Sequence, residues 1–209
     1  MLQGIRFVAR HRQLRLLASF SFFRMLFVAP GFILVFAEGK RLGYDTSIIG
    51  LLFSVGAVGG LLGSAISVPV SSRVSVRWIS VIVNTMLAAS FAILALGVNL
   101  PMLLAGEIVF NISFPILASS QTAYWIGNVP EQYLGRANAV FRLAIYGSGP
   151  PGLVLGAFFL KWTGPVISLL LVAAGLALVA VLTLLSSLGR ADSSGRPIWG
   201  DRQVAVRRS

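Results

Sequence analysis

The chain has no cysteine, a single histidine and only six acidic residues in 209. Without cysteine there can be no disulfide, no thiolate metal site and no cysteine nucleophile. The one histidine, His11, stands in a basic stretch ahead of the first apolar run, so no histidine pair can work inside the apolar part. Charge of either sign is scarce as well. Only 11% of residues are charged, against about 25% in an average soluble chain. With 56% hydrophobic residues, most of this chain has no water to face. No glycine-rich fingerprint sits between a strand and a helix, and the apolar runs hold no paired carboxylates. These absences point away from an enzyme, a resident metal and a cofactor.

What remains is apolar and long. Six runs can be marked, at 14–37, 48–70, 76–97, 101–126, 137–160 and 165–188. Each is long enough to cross a bilayer, which takes about 20 apolar residues per helix. Twelve such helices would need about 240 residues, so a twelve-helix transporter is excluded for this sequence alone. Short connections make consecutive helices antiparallel neighbours. The expected organisation is a basic cytoplasmic linker (1–13), a six-helix transmembrane bundle (14–188) and a polar, disordered cytoplasmic tail (189–209).

The net charge of +11 sets nucleic acid against a membrane bias. The position of the arginines decides. Arg6, Arg10, Arg12 and Arg15 precede the first run, Arg73 and Arg77 separate the second from the third, and Arg136 separates the fourth from the fifth. Arg190, Arg196, Arg202, Arg207 and Arg208 follow the sixth. The alternate connections hold only Lys40, Arg41 and Lys161, with Glu38 and Asp45 beside the first two. Twelve positive charges against three orient both ends toward the cytoplasm. They also account for most of the charge without nucleic acid. Trp78, Tyr124, Trp125 and Trp162 fall at the expected membrane–water edges, where amphipathic rings prefer to lie.

Six runs divide as three plus three. Because three is odd, the second triplet must run opposite to the first, which is the condition for an inverted repeat. The first run of each triplet carries an ionisable residue and a proline: Arg24 with Pro30, and Glu107 with Pro115. The second runs are glycine-rich, with Gly56, Gly59, Gly60 and Gly63 in one and Gly152 and Gly156 in the other. Glycine at this spacing lets helix backbones approach closely, within one chain or across a dimer face. The third runs are the plainest and fit lipid-facing positions, with Asn84 their one strongly polar side chain.

Several polar residues fall inside the apolar runs. Arg24 lies eight residues beyond Leu16, about 12 Å deep in a core about 30 Å thick. An unpaired arginine there costs about 3 kcal/mol on insertion scales, so it should face a cavity or a partner. It is a helix-packing group or a direct participant in transport. Glu107 lies about 9 Å below the opposite boundary, with Asn111 one turn on along the same face. It reads as a structural partner, as a proton or cation site, or as a group near the interface. A long Arg24 side chain bridges part of the distance to Glu107, and both are expected to face one internal cavity. Arg142 either snorkels to the inner surface or pairs with Glu131. Gln121 and Asn84 are placed to hydrogen-bond neighbouring helices or to line a pathway. Pro150 and Pro151 interrupt the fifth run as a hinge or a static kink.

The order of short motifs resembles a known family. Leu42-Gly43-Tyr44-Asp45, then Gly59-Gly60-Leu61-Leu62-Gly63, is similar to the start and glycine face of the eighth helix of the major facilitator superfamily. Ser72-Arg73-Val74-Ser75-Val76-Arg77 resembles its cytoplasmic loop motif, with serine in place of both the aspartate and the glycine. Val129-Pro130-Glu131 and Gly135-Arg136-Ala137-Asn138 resemble the loop and helix start of bacterial enterobactin- and macrolide-type exporters. Gly149-Pro150-Pro151-Gly152 is similar to the Gly-Pro segment of the eleventh helix there. The resemblance spans residues 4–188 and corresponds to the C-terminal six-helix half. It implies half of a secondary active transporter in the bacterial inner membrane, exporting a hydrophobic or amphipathic small molecule by proton antiport. Its partners would be the bilayer, the substrate, and an N-terminal half or a second copy. The alternative is a truncated or non-transporting interaction subunit that needs a separate N-terminal half.

Overall fold

A computed structural model describes residues 9–188. The first eight residues and the predicted tail lie outside the described part. Among the described residues seven helices are bounded: α1 (Arg12–Val28), α2 (Gly31–Arg41), α3 (Thr46–Arg73), α4 (Val76–Leu96), α5 (Leu100–Asn128), α6 (Glu131–Gly147) and α7 (Gly149–Leu185). Among the described residues, five continuous helical stretches are long and apolar enough to cross a membrane: Arg12–Arg41, Thr46–Arg73, Val76–Leu96, Leu100–Asn128 and Glu131–Leu185. The all-helical, apolar architecture is that of a membrane protein, since helices satisfy every backbone group internally.

Local chemistry sets the helix ends. Gly43 takes φ 83° after α2, and the Tyr44 N–H returns to the Gly39 carbonyl at 3.0 Å, closing that helix as glycine closes many others. The Asn99 side chain caps α5 by accepting from the Met102 N–H at 3.1 Å, with Pro101 in the first turn, where its missing N–H costs nothing. Pro30 separates α1 from α2 within the first stretch.

The last stretch is interrupted twice. Ser148 joins α6 to α7. Pro150 and Pro151 therefore occupy the first turn of α7 instead of breaking a helix at mid-length. Gly164 then leaves helical geometry, with φ 75° and ψ 173°, immediately before Pro165. A Cβ on Gly156 would strike Pro30, and one on Gly175 would meet the Phe27 ring at 2.5 Å. Along a straight helix these two glycines would stand about 28 Å apart. Both nevertheless pack against residues within one turn of each other on the first stretch, so the chain doubles back at Gly164. The first arm of α7 runs parallel to α1, with Gly152 at Leu26 and Gly156 at Pro30. The second arm runs antiparallel, with Gly175 at Phe27 and the Ser187 carbonyl accepting from Gln13 at 3.0 Å.

Two apolar clusters hold the bundle. The larger joins Leu34 and Val35 of α2, Leu52 of α3, much of α4, Leu103 and Leu117 of α5, and Leu169, Val172 and Leu176 of the second arm of α7. The smaller gathers Leu14, Leu17, Val76, Trp125, Val129, Ala137, Phe141 and Leu188. It brings the start of α1, the α3–α4 and α5–α6 connections and the end of α7 to one end of the molecule. Arg12, Arg15, Arg73, Arg77 and Arg136 lie in or beside these segments.

The third apolar run, expected to face lipid, has an inner face as well as an outer one. Ile79, Val83, Asn84, Leu87, Phe91 and Leu94 of α4 are buried against α5 and α7. The opposite side, carrying Trp78, Ile82, Thr85, Ala89 and Leu96, is exposed along the length of the helix. A helix that is apolar all round shows no inner face in its sequence, and its neighbours choose one.

Candidate functional site

A cavity of about 380 Å³ lies beside the Ala29–Pro30 junction, between α1, α2, α3, α4 and α5. Its walls are Met25, Val28, Ala29, Gly31, Phe32, Val35, Phe53, Phe91, Leu94 and Phe110, and its only polar side chains are Glu107 and Asn111. The aromatic rings are organised. Phe32 and Phe53 stack at 4.5 Å between centroids, and Phe91 meets Phe110 edge to face at 5.5 Å. Glycine sets the shape on two sides. A Cβ at Gly31 would press on the Phe91 ring at 2.9 Å, and one at Gly56 would come within 2.7 Å of the Asn111 amide nitrogen.

Glu107 is 3% exposed. Its Oε2 accepts from Asn111 Nδ2 at 3.2 Å, and the same amide also donates to the Glu107 carbonyl at 2.9 Å. Among the described residues no cationic side chain pairs with it, the one ion pair being Arg41 with Glu38. The site therefore offers a carboxylate at one place on an otherwise apolar, ring-lined wall. Its mixture of apolar walls and a few convergent polar groups is the usual make-up of a small-molecule site.

Arg24 is buried on α1, 8% exposed, but it is absent from the walls of this cavity. It forms no ion pair with Glu107. The expectation that the two share one cavity is corrected: Arg24 lies one turn from Ser21 on the buried side of α1, while Glu107 faces Gly56 of α3. Among the described residues Arg24 has no hydrogen-bond or ion-pair partner. Gln121 is buried and donates to Ser21 Oγ at 2.8 Å, tying α5 to α1 next to that arginine. Asn84 is buried on α4, where its Oδ1 has no protein partner.

The remaining predicted residues are distributed over the bundle. Arg142 is exposed and makes no pair with Glu131, which sits in the first turn of α6, where a negative charge suits the helix dipole. Arg73 is exposed in the last turn of α3, favourable for the same reason. Arg77 donates through Nη2 to the Leu184 carbonyl and lies 5.8 Å from the Trp78 ring, so it fastens α4 to the end of α7. Arg136 is exposed on α6. Three of the five α3 glycines meet α5 of the same chain: Gly56 at Asn111, Gly59 at the Ile108 carbonyl and Gly63 at the Ile112 carbonyl. Gly60 meets nothing within 4 Å. Gly152 meets the Leu26 carbonyl and Ala29, so these glycines serve packing within the chain.

Two features escaped the sequence reading. Glu38 is 1% exposed and is clamped by Arg41, with Nε to Oε2 at 2.8 Å and Nη2 to Oε1 at 2.5 Å. The three-residue spacing of opposite charges on a helix was the available signal. The ring-lined wall had no local signal, because Phe32, Phe53, Phe91 and Phe110 come from four separate helices. A second depression, of about 300 Å³, lies between α1 and α6 and is lined by Arg15, Ser19, Phe22, Phe23, Val140 and Ala144 among others.

Comparison of the chain with protein-family models, curated proteins and solved structures finds no match. The reading of its function rests on the sequence and on this geometry.

Proposed function

We propose that this bundle is one half of a secondary active transporter of the major facilitator kind, exporting a hydrophobic or amphipathic small molecule in exchange for protons. In this reading the chain crosses the bacterial inner membrane six times, as two inverted three-helix repeats with both ends cytoplasmic. The observation that carries it is a contact made twice. Gly59 and Gly63 lie on the backbone at Ile108 and Ile112, and Gly152 and Gly156 lie on the chain at Leu26 and Pro30. Each glycine sits 93 positions from its counterpart, and each partner residue 82 from its own. The same parallel packing of second helix on first helix of the opposite triplet thus recurs in register. Two copies of one three-helix unit, swapped against each other, would produce it.

Other observations favour the same reading. The reversal at Gly164 divides α7 into two arms and supports six crossings. The arginine-bearing segments share one end of the bundle, which fits a cytoplasmic surface. The cavity at Glu107 supplies an apolar site with one group able to carry a proton. Alternating access needs one bundle to rock against another, so transport requires a second six-helix bundle, on the same polypeptide or on another.

Two measurements test this. Topology reporters placed after Leu42, after Asn99 and after Gly164 should read outside, and those in the α3–α4 and α5–α6 connections inside. An inside reading after Gly164 would remove the sixth crossing and the repeat with it. The purified chain in liposomes should show no proton-driven export until a second bundle is supplied. Robust flux from monomeric chain alone would sink the half-transporter reading.

A further inference from the structure

Among the described residues, the carboxylate of Glu107 has no counter-charge. A buried carboxylate must be matched by a cation or neutralised, because an unpaired charge in an apolar medium is costly. Its surroundings narrow the choice. Phe32, Phe53, Phe91 and Phe110 line the same cavity, and the negative faces of aromatic rings attract cations within about 6 Å of the ring centre. A neutral apolar ligand would gain from the rings but would make no use of the carboxylate, which would have to take up a proton. An anion would be repelled by Glu107 and would find no basic side chain among the walls. A small inorganic cation would face rings where it needs oxygen ligands, and only one carboxylate and one amide are present.

We infer that this cavity binds a monovalent organic cation with apolar or aromatic substituents, its charge against Glu107 and its apolar groups against the four phenylalanines. The cavity volume of about 380 Å³ is adequate for such a ligand. Asn111 has a positioning role: its amide, held to the Glu107 backbone carbonyl, keeps the carboxylate turned along the α3–α5 contact at Gly56. The inference deepens the transporter reading by naming a substrate class. It needs only the resting bundle, because every wall residue belongs to this chain.

The test is equilibrium binding of radiolabelled tetraphenylphosphonium to the purified full chain in detergent, compared with tetraphenylborate, which has nearly the same shape and the opposite charge. Saturable binding of the cation and none of the anion is expected. Glu107→Gln should weaken cation binding by about tenfold or more, since the charge partner is lost. Phe53→Leu should weaken it by about fivefold, because only the ring face is lost. Gly60→Ala, outside the cavity, should leave it unchanged. A measurement on the unaltered chain guards against misfolded variants: bound cation should slow modification of Glu107 by a hydrophobic carbodiimide, read by mass spectrometry. Equal binding of both ions, unchanged affinity in folded Glu107→Gln, or no protection of Glu107 overturns the inference. Cation binding without transport in the two-bundle assembly would leave it standing and count against the transporter reading instead.

Discussion

Replacing glycines one at a time along α3 separates close helix packing from helix propensity. Gly59, Gly60 and Gly63 stand on one helix, so alanine gives each the same propensity gain of about 1 kcal/mol. Their surroundings differ. A Cβ at Gly59 would stand 2.6 Å from the Ile108 carbonyl oxygen, and one at Gly63 2.5 Å from that of Ile112. Ordinary contact begins at 3.4 Å, so α3 and α5 must separate by about 0.8 Å to admit the methyl. Both obstacles are backbone, which no rotamer change removes. A gap of that size forfeits about a quarter to a half of the dispersion energy of the contacts along the seam. Overpacking of this kind costs about 1–3 kcal/mol. Gly59→Ala and Gly63→Ala should therefore be destabilised by up to about 2 kcal/mol net, whereas Gly60→Ala should be stabilised by up to about 1 kcal/mol. Reversible unfolding in mixed detergent and dodecyl sulfate micelles, followed by circular dichroism, gives the three values. The counterpart set is Gly152→Ala and Gly156→Ala against Gly149→Ala, whose Cβ would meet nothing within 4 Å. If Gly59→Ala proves as stable as Gly60→Ala, the close α3–α5 seam is wrong, and the repeated contact loses one of its two members.

Three further outcomes are expected. Arg24→Leu should stabilise the isolated bundle by up to about 3 kcal/mol, since it removes a buried charge without a partner, and should couple to Glu107→Gln by less than about 0.5 kcal/mol in a double-mutant cycle; a large loss of stability would reveal an ion pair. The Gln121–Ser21 bond should give a coupling energy of about 0.6 kcal/mol between Gln121→Leu and Ser21→Ala in the same unfolding assay, and none between Gln121→Leu and Ser54→Ala. Arg41→Ala should lower thermal stability because it strands the buried Glu38 carboxylate, and Arg41→Lys should recover part of the loss; equal melting temperatures for all three proteins would contradict the clamp.

The loop arginines show where the resemblance to a transporter half and the geometry diverge in emphasis. Arg77 belongs to the stretch that resembles a gating loop, yet here it holds the Leu184 carbonyl. The serines at 72 and 75 leave no acidic partner in that stretch, and the guanidinium takes the backbone acceptor exposed at the end of α7. A helix end presents unsatisfied carbonyls, and an arginine within reach satisfies one of them.

Composition, run length and arginine placement were sufficient to read an all-helical membrane protein, because burial in lipid demands long apolar runs whatever their packing. The start of the fourth run at Pro101 lies within a residue of the observed helix start, whereas the first helical stretch runs on to Arg41, past the expected end at 37, and closes at the left-handed Gly43. The glycines of α3 and the start of α7 announced close packing, but the spacing of Gly56, Gly59, Gly60 and Gly63 could not say which three would face α5. That depends on the rotation of one helix against another, which a sequence of apolar residues leaves open. Arg24 and Glu107 were equally visible as buried charges, and depth along a helix was computable for each. Their separation was not, because it depends on the azimuth of two helices distant in sequence. The Glu107 cavity belongs wholly to tertiary structure: its four phenylalanines look alike in sequence to the ten others. Only the packing of four helices brings them around one carboxylate.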